Sequence, residues 1–208
     1  MKHLPNLLTI ARLVLSLGMF AALVTIGAAE HGAPVPAELG LGLAWFSVIA
    51  FVVASVTDYF DGWLARRYGV TSLTGAVLDP IADKILVCGA IVGLLIAGLP
   101  YMFGALGGLI LFREFAVSAL REVLAPRGIK LPVTFLAKTK TTLQLVALGA
   151  LMILWFWPAW NLRLPLDDLG YAWEAAQMLL VLATLVTLWT GVEYGRAAAR
   201  ALRDKPLP

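Results

Sequence analysis

The chain has 208 residues, of which 61% are hydrophobic and only 14% charged, with a formal net charge of +3. A soluble domain carries nearer a quarter charged residues, so a water-soluble globule is excluded; the apolar runs are also too long and continuous for barrel strands. The single cysteine, Cys88, excludes a disulfide within the chain and gives no support to a thiolate nucleophile, and His3 and His31 are too isolated to suggest a histidine metal site.

Taken in chain order, the apolar runs predict six membrane helices over 6–28, 39–65, 75–98, 101–124, 134–157 and 171–195, each long enough to cross a hydrocarbon layer of roughly 30 Å. Lys2 ahead of the first run and Ala28-Ala29 after it resemble a signal peptide, but Arg12 interrupts the apolar region, so the segment reads as a retained span. Gly32, Pro34 and Pro36 close the first helix, and Pro100 separates the third from the fourth. Pro126 and Pro132 mark the next loop, and residues 158–168 divide the fifth helix from the sixth. Pro80 is expected in the first turn of the third helix, where a missing N–H is tolerated. With no repeat or linker visible, the expected architecture is an all-α integral membrane protein, one domain over 1–208.

The charges give a direction. Lys2, Arg66, Arg67, Arg127, Lys130, Arg196, Arg200, Arg203 and Lys205 fall on one side of the six expected spans. Opposite them lie Glu30, Glu38, Asp167 and Asp168, with Arg163 the one basic residue. The positive-inside rule places both termini in the cytoplasm, and the basic face suits anionic lipid headgroups rather than nucleic acid. Trp155, Trp157 and Trp160 are expected as an outer interfacial belt. A retained first span and a compact chain suggest a bacterial inner membrane.

Against this apolar background stand Asp58, Asp61, Asp79 and Asp83. Spacings of three and four put each pair on one helix face. Four carboxylates aimed at one low-dielectric point repel one another unless some are protonated or cations neutralise them. All-oxygen ligands select hard ions such as Mg²⁺ or Mn²⁺, and two such ions suit a displacement at phosphorus. Gly62, Ala65 and Gly75 are small enough to let a ligand approach the backbone; Arg66 offers a planar cationic fork, and Thr71, Ser72 and Thr74 add hydroxyls. The same topology brings Arg113, Arg121, Lys138 and Lys140 towards the cytoplasmic side and predicts a polar cavity opening there.

The pattern D-x2-D-G-x2-A-R-x8-G-x3-D-x3-D is matched at every fixed position from Asp58 to Asp83. It resembles the signature of the CDP-alcohol phosphotransferases, membrane enzymes of phospholipid synthesis. The resemblance implies a six-helix fold, usually homodimeric, with a divalent metal site of two ions. Asp58, Asp61 and Asp79 would be metal ligands, and Asp83 would lie at the metal site and act as general base. Asp58, Gly62, Ala65, Arg66, Thr71 and Gly75 would surround the CDP moiety.

Outside the signature, Asn6-Leu-Leu-Thr9-Ile-Ala-Arg12, Leu78-Asp79-Pro80-Ile-Ala-Asp83-Lys84, Arg113-Glu114 with Ser118-Ala-Leu-Arg121-Glu122, and Lys138-Thr-Lys140-Thr141-Thr142-Leu-Gln144 are similar to the branch of the family whose acceptor is sn-glycerol 3-phosphate. An acceptor with its own phosphate dianion needs a basic pocket, which Arg113, Arg121, Lys138 and Lys140 would form. The resemblance therefore implies transfer of the phosphatidyl group from CDP-diacylglycerol to glycerol 3-phosphate. Other readings stay open: a cardiolipin synthase of this fold using phosphatidylglycerol, a phosphatidylinositol-phosphate synthase, or a divalent metal transporter, since carboxylate clusters also mark ion pathways. Arg121 and Lys138 have headgroup anchoring as a lesser alternative, and Arg12 with Asn6 and Thr9 reads evenly as an inter-helix patch or a ligand surface.

Overall fold

The computed structural model describes the backbone of residues 4–68, 73–129, 135–160 and 165–204; side chains are described except at 4–6, 59–77, 127, 137, 138 and 204. The described residues form six α-helices: α1 (Leu4–Glu30), α2 (Ala37–Tyr68), α3 (Leu73–Ile96), α4 (Tyr101–Leu124), α5 (Phe135–Trp155) and α6 (Leu166–Asp204). Two 3₁₀ turns, Ala125–Arg127 and Trp157–Trp160, follow α4 and α5. The expected helices are all present. The one large difference is α6, which starts five residues before the expected 171 and continues to Asp204. Its polar extension, Glu193 to Asp204, keeps helical pitch after the apolar run has ended.

Glycines set the stops between helices. At Gly98 the φ of 92° is open to glycine at no steric cost, and Leu99 N–H reaches back to the Leu94 carbonyl while Gly98 N–H bonds to Leu95. That double closure satisfies the last carbonyls of α3, and Pro100 then caps α4. Gly32, also at φ 92°, ends α1 the same way, through Ala33 N–H to Ala28 and Gly32 N–H to Ala29. Pro80 departs from the expectation. Because α3 begins at Leu73, Pro80 lies inside the helix rather than in its first turn, so α3 loses one backbone bond beside Asp79.

Among the described residues, four helical segments are long and apolar enough to cross a membrane: Leu7–Glu30, Ala37–Asp58, Tyr101–Leu124 and Leu166–Arg203. A shorter apolar segment covers Thr139–Trp155. The described part of α3 is interrupted by Asp79, Asp83 and Lys84 at its start. The outer faces fit a lipid solvent. On α1 the exposed stripe is Leu7, Ile10, Val14 and Leu17, while Thr9, Arg12 and Ser16 are buried. This inverts the amphipathic pattern of a soluble helix and marks a multi-pass membrane protein.

Helices α1 and α3 run parallel in tight register. Gly89 of α3 lies against Met19 and Phe20, Gly93 against Leu23, and Gly27 of α1 against the Ile96 carbonyl, only 2.1 Å from where a Cβ would stand. Small residues at such crossings let backbones approach closely, since in lipid van der Waals packing drives helix association. Helices α3 and α4 are antiparallel, with Leu95 beside Gly104 and Ile91 beside Gly107. At the end of the bundle where these helices meet the α5–α6 connection, Trp155 donates to the Ala97 carbonyl at 3.0 Å. Trp45 donates to Ala159 at 3.1 Å and packs on Trp160 with ring centroids 4.0 Å apart. Two of the three belt tryptophans thus pin loops to helices.

Candidate active site

The α1–α3 register carries polar residues at its other end. Two and nearly three turns before Met19, α1 presents Arg12 and Thr9, and the matching positions of α3 are Asp83 and Asp79. Thr9 Oγ1 donates to Asp79 Oδ1 at 2.6 Å. Arg12 Nη1 lies 2.6 Å from Asp83 Oδ1 and 2.7 Å from Asp58 Oδ1 of α2. The Arg12 side chain is 1% exposed, against 34% for Asp58 and 49% for Asp83. A buried guanidinium therefore gathers two carboxylates from two helices while their outer edges stay open. Of the two readings of Asn6, Thr9 and Arg12, Thr9 and Arg12 belong to the aspartate cluster; the side chain of Asn6 lies outside the described residues.

This geometry tests the metal expectation on the donor set itself. Two carboxylate oxygens from different helices converge on the Arg12 guanidinium, and oxygen donors of this kind are the type that hard divalent ions select. Among the described residues no three acidic, histidine or cysteine side chains form one ligand group. Asp61, Gly62, Ala65, Arg66 and Gly75 fall on the described backbone of α2 and α3, but their surroundings, and all of Thr71, lie outside the described residues.

The second cluster is built by α4, α5 and α6. Moving eight residues back from Ile91 reaches Asp83, and six forward from Gly107 reaches Arg113; at 1.5 Å per residue these are displacements of about 12 and 9 Å towards the same end. Both clusters therefore occupy one end of the bundle. Arg113 is buried, donating from Nη1 to Glu114 at 3.1 Å and from Nη2 to Thr190 Oγ1 at 3.0 Å. Lys140, also buried, pairs with Glu114. Arg121 Nη2 donates to the Tyr194 hydroxyl at 2.9 Å. Two cations, Arg113 and Lys140, thus share the Glu114 carboxylate, and Arg121 is held beside Arg113 on the Tyr194 ring. The side chain of Lys138 lies outside the described residues.

Of the residues expected around the acceptor phosphate, Arg113 and Lys140 share Glu114 and Arg113 and Arg121 share Tyr194; the α6 side of this cluster was not anticipated. Thr184, Thr187, Thr190 and Tyr194 recur at spacings of three and four and are all buried. That stripe was visible as a polar line in an apolar helix, but threonine so often bonds its own helix that it raises little suspicion.

Comparison with known proteins decides the family. The family model described as CDP-alcohol phosphatidyltransferase matches residues 2–190. The chain belongs to the CDP-alcohol phosphatidyltransferase family. It is 37% identical over 203 residues to a CDP-diacylglycerol--glycerol-3-phosphate 3-phosphatidyltransferase of Rickettsia bellii, covering 96% of this chain and 97% of the relative. It is 38% identical over 203 residues to a probable phosphatidylglycerophosphate synthase of Mycobacterium tuberculosis, covering 97% and 83%. A relative from Cereibacter sphaeroides with the same name as the Rickettsia protein is 48% identical over 113 residues, covering 52% of this chain and 50% of its own. In this CDP-alcohol phosphatidyltransferase the matched range takes in Arg12, Asp58, Asp79 and Asp83 as well as Arg113, Glu114, Arg121 and Lys140.

Proposed function

We propose that the chain transfers the phosphatidyl group from CDP-diacylglycerol to sn-glycerol 3-phosphate, giving phosphatidylglycerophosphate and CMP. The observation that carries this is near-complete coverage by relatives bearing that activity in their names. Arg113 and Lys140 on Glu114, and Arg121 on Tyr194, lie at the same end of the bundle as the aspartates and support an acceptor that brings its own phosphate.

Asp58, Asp61, Asp79 and Asp83 would hold Mg²⁺ or Mn²⁺, two ions in all, which when bound offset charge on the diphosphate and the departing CMP. Asp58, Gly62, Ala65, Arg66, Thr71 and Gly75 would surround the CDP moiety. Asp83, with half its side chain open, takes the proton from the glycerol 1-hydroxyl. The freed oxygen bonds to the β-phosphorus, the bond from that phosphorus to the CMP oxygen breaks in line, and CMP leaves with the electron pair. Arg113, Arg121, Lys138 and Lys140 hold the acceptor phosphate. No covalent enzyme intermediate is needed, so catalysis rests on proximity and electrostatics.

In this reading residues 1–208 form one domain with six spans. At 24 and 21 residues, α3 and α5 are about 36 and 32 Å long, enough to cross. The polar end opens as a cavity to the cytoplasm, with both termini on that side of a bacterial inner membrane, and the enzyme works as a homodimer among its lipid substrates. The deciding experiment is CMP release by purified protein in detergent with CDP-diacylglycerol and Mg²⁺, with and without glycerol 3-phosphate. Release that requires both supports the reading; release driven instead by inositol phosphate or phosphatidylglycerol replaces the acceptor, and no release with any acceptor overturns the activity.

A further inference from the structure

We infer that Tyr194 of α6 is a positioning residue for the acceptor phosphate, holding the guanidinium groups of Arg113 and Arg121 at a fixed separation; this rests on the glycerol 3-phosphate reading above. The guanidinium carbon of Arg113 lies 5.5 Å from the Tyr194 ring centroid and that of Arg121 lies 5.0 Å from it. Two like charges sharing one ring repel each other, and the negative face of the ring offsets that repulsion. The tyrosine is itself buried, being 4% exposed, and its hydroxyl accepts from Arg121 Nη2.

The rest of α6 is shaped to the same end. Thr190 gives its hydroxyl hydrogen to the Thr187 carbonyl at 2.9 Å, which leaves its oxygen facing Arg113 as an acceptor. Thr187 likewise donates to Ala183 and accepts from Gln144 of α5 at 2.7 Å. Between Thr190 and Tyr194, Gly191 leaves room for the Arg113 stem: a Cβ there would stand 2.8 Å from Arg113 Cγ. Arg113 Nε is buried and, among the described residues, has no hydrogen-bond partner. Arg113 is thus held by Glu114, Thr190 and the Tyr194 ring, with its Nε–H left over, so its position is set before any acceptor arrives.

The test is steady-state CMP release by the purified enzyme, varying each substrate in turn, for Tyr194→Phe, Tyr194→Leu and, as reference, Arg121→Ala. Tyr194→Leu, which loses ring and hydroxyl, should raise KM for glycerol 3-phosphate about tenfold or more, with kcat and KM for CDP-diacylglycerol within about twofold of wild type. Tyr194→Phe keeps the ring and should raise it only about threefold. Equal rises in both KM values, or a fall in kcat alone, would mean a general packing role and overturn the inference. Should the leucine variant not fold, the phenylalanine variant decides: a selective rise supports positioning, and wild-type kinetics rejects it. If Arg121→Ala leaves KM for glycerol 3-phosphate unchanged, the acceptor-site reading falls and the inference with it. A selective effect of Arg121→Ala with silent Tyr194 variants overturns the inference alone.

Discussion

Arg12 gives the aspartate cluster its order. Its guanidinium is buried while the carboxylates it joins reach towards the open end, so removing it leaves Asp58 and Asp83 facing each other with their shared cation gone. Arg12→Ala is expected to destabilise the protein by about 3 kcal/mol, the usual cost of breaking a buried pair. In detergent with EDTA its melting temperature should fall, and millimolar Mg²⁺ should restore part of the loss, because an ion would neutralise the same oxygens. A Tm unmoved by Mg²⁺ would argue against Asp58 and Asp83 as metal ligands. Asp83→Asn should leave CDP-diacylglycerol binding within a few-fold of wild type, read by direct lipid titration, while turnover falls about 10²- to 10⁴-fold; undiminished turnover would remove Asp83 as the base. The four aspartates were legible in the sequence because carboxylates in an apolar run have few bland explanations. Arg12 was ambiguous for the opposite reason: its partners lie 46 and 71 residues away, and no local pattern records a contact at that range.

At the level of the helices, close approach does the positioning. Gly27 places α1 against the backbone of α3, and a Cβ would meet the Ile96 carbonyl, which no change of side-chain rotamer can relieve. Gly27→Ala should therefore lower stability by about 1–3 kcal/mol and reduce activity through displaced Thr9 and Arg12, measured by thermal unfolding beside CMP release. Gly191→Ala should act differently. It pushes on the buried Arg113 stem rather than on backbone, so besides a stability cost of about 1–3 kcal/mol it should raise KM for glycerol 3-phosphate selectively. The six helices were readable from apolar run length and from glycine and proline stops, and α4 matches its expected ends, Tyr101 and Leu124. Two features were not. Pro80 was expected at a helix start because proline so often sits there, yet α3 continues for two turns ahead of it. The reach of α6 to Asp204 was hidden because charged residues end an apolar run without ending a helix.

For the whole molecule, two separate polar clusters share one end of a bundle whose other faces are apolar. Acceptor and nucleotide would then meet at the inner surface, where one substrate is dissolved and the other is lipid. Single-cysteine labelling in a Cys88→Ser background tests the orientation. His31→Cys should react with an impermeant maleimide only from the outer side, and Arg203→Cys only from the cytoplasmic side, in vesicles of known sidedness; the reverse pattern would invert the topology.

The parallel pairing of α1 with α3 also sets a timetable for biogenesis. Arg12 leaves the ribosome well before Asp83, which follows 71 positions later; at roughly 5–20 residues per second that is a wait of several seconds. During that interval an arginine sits in the first membrane segment with no carboxylate from α3 to receive it. A nascent chain halted between Asp58 and Asp83 can therefore pair that arginine with α2 alone, and the second carboxylate arrives only once α3 has been made.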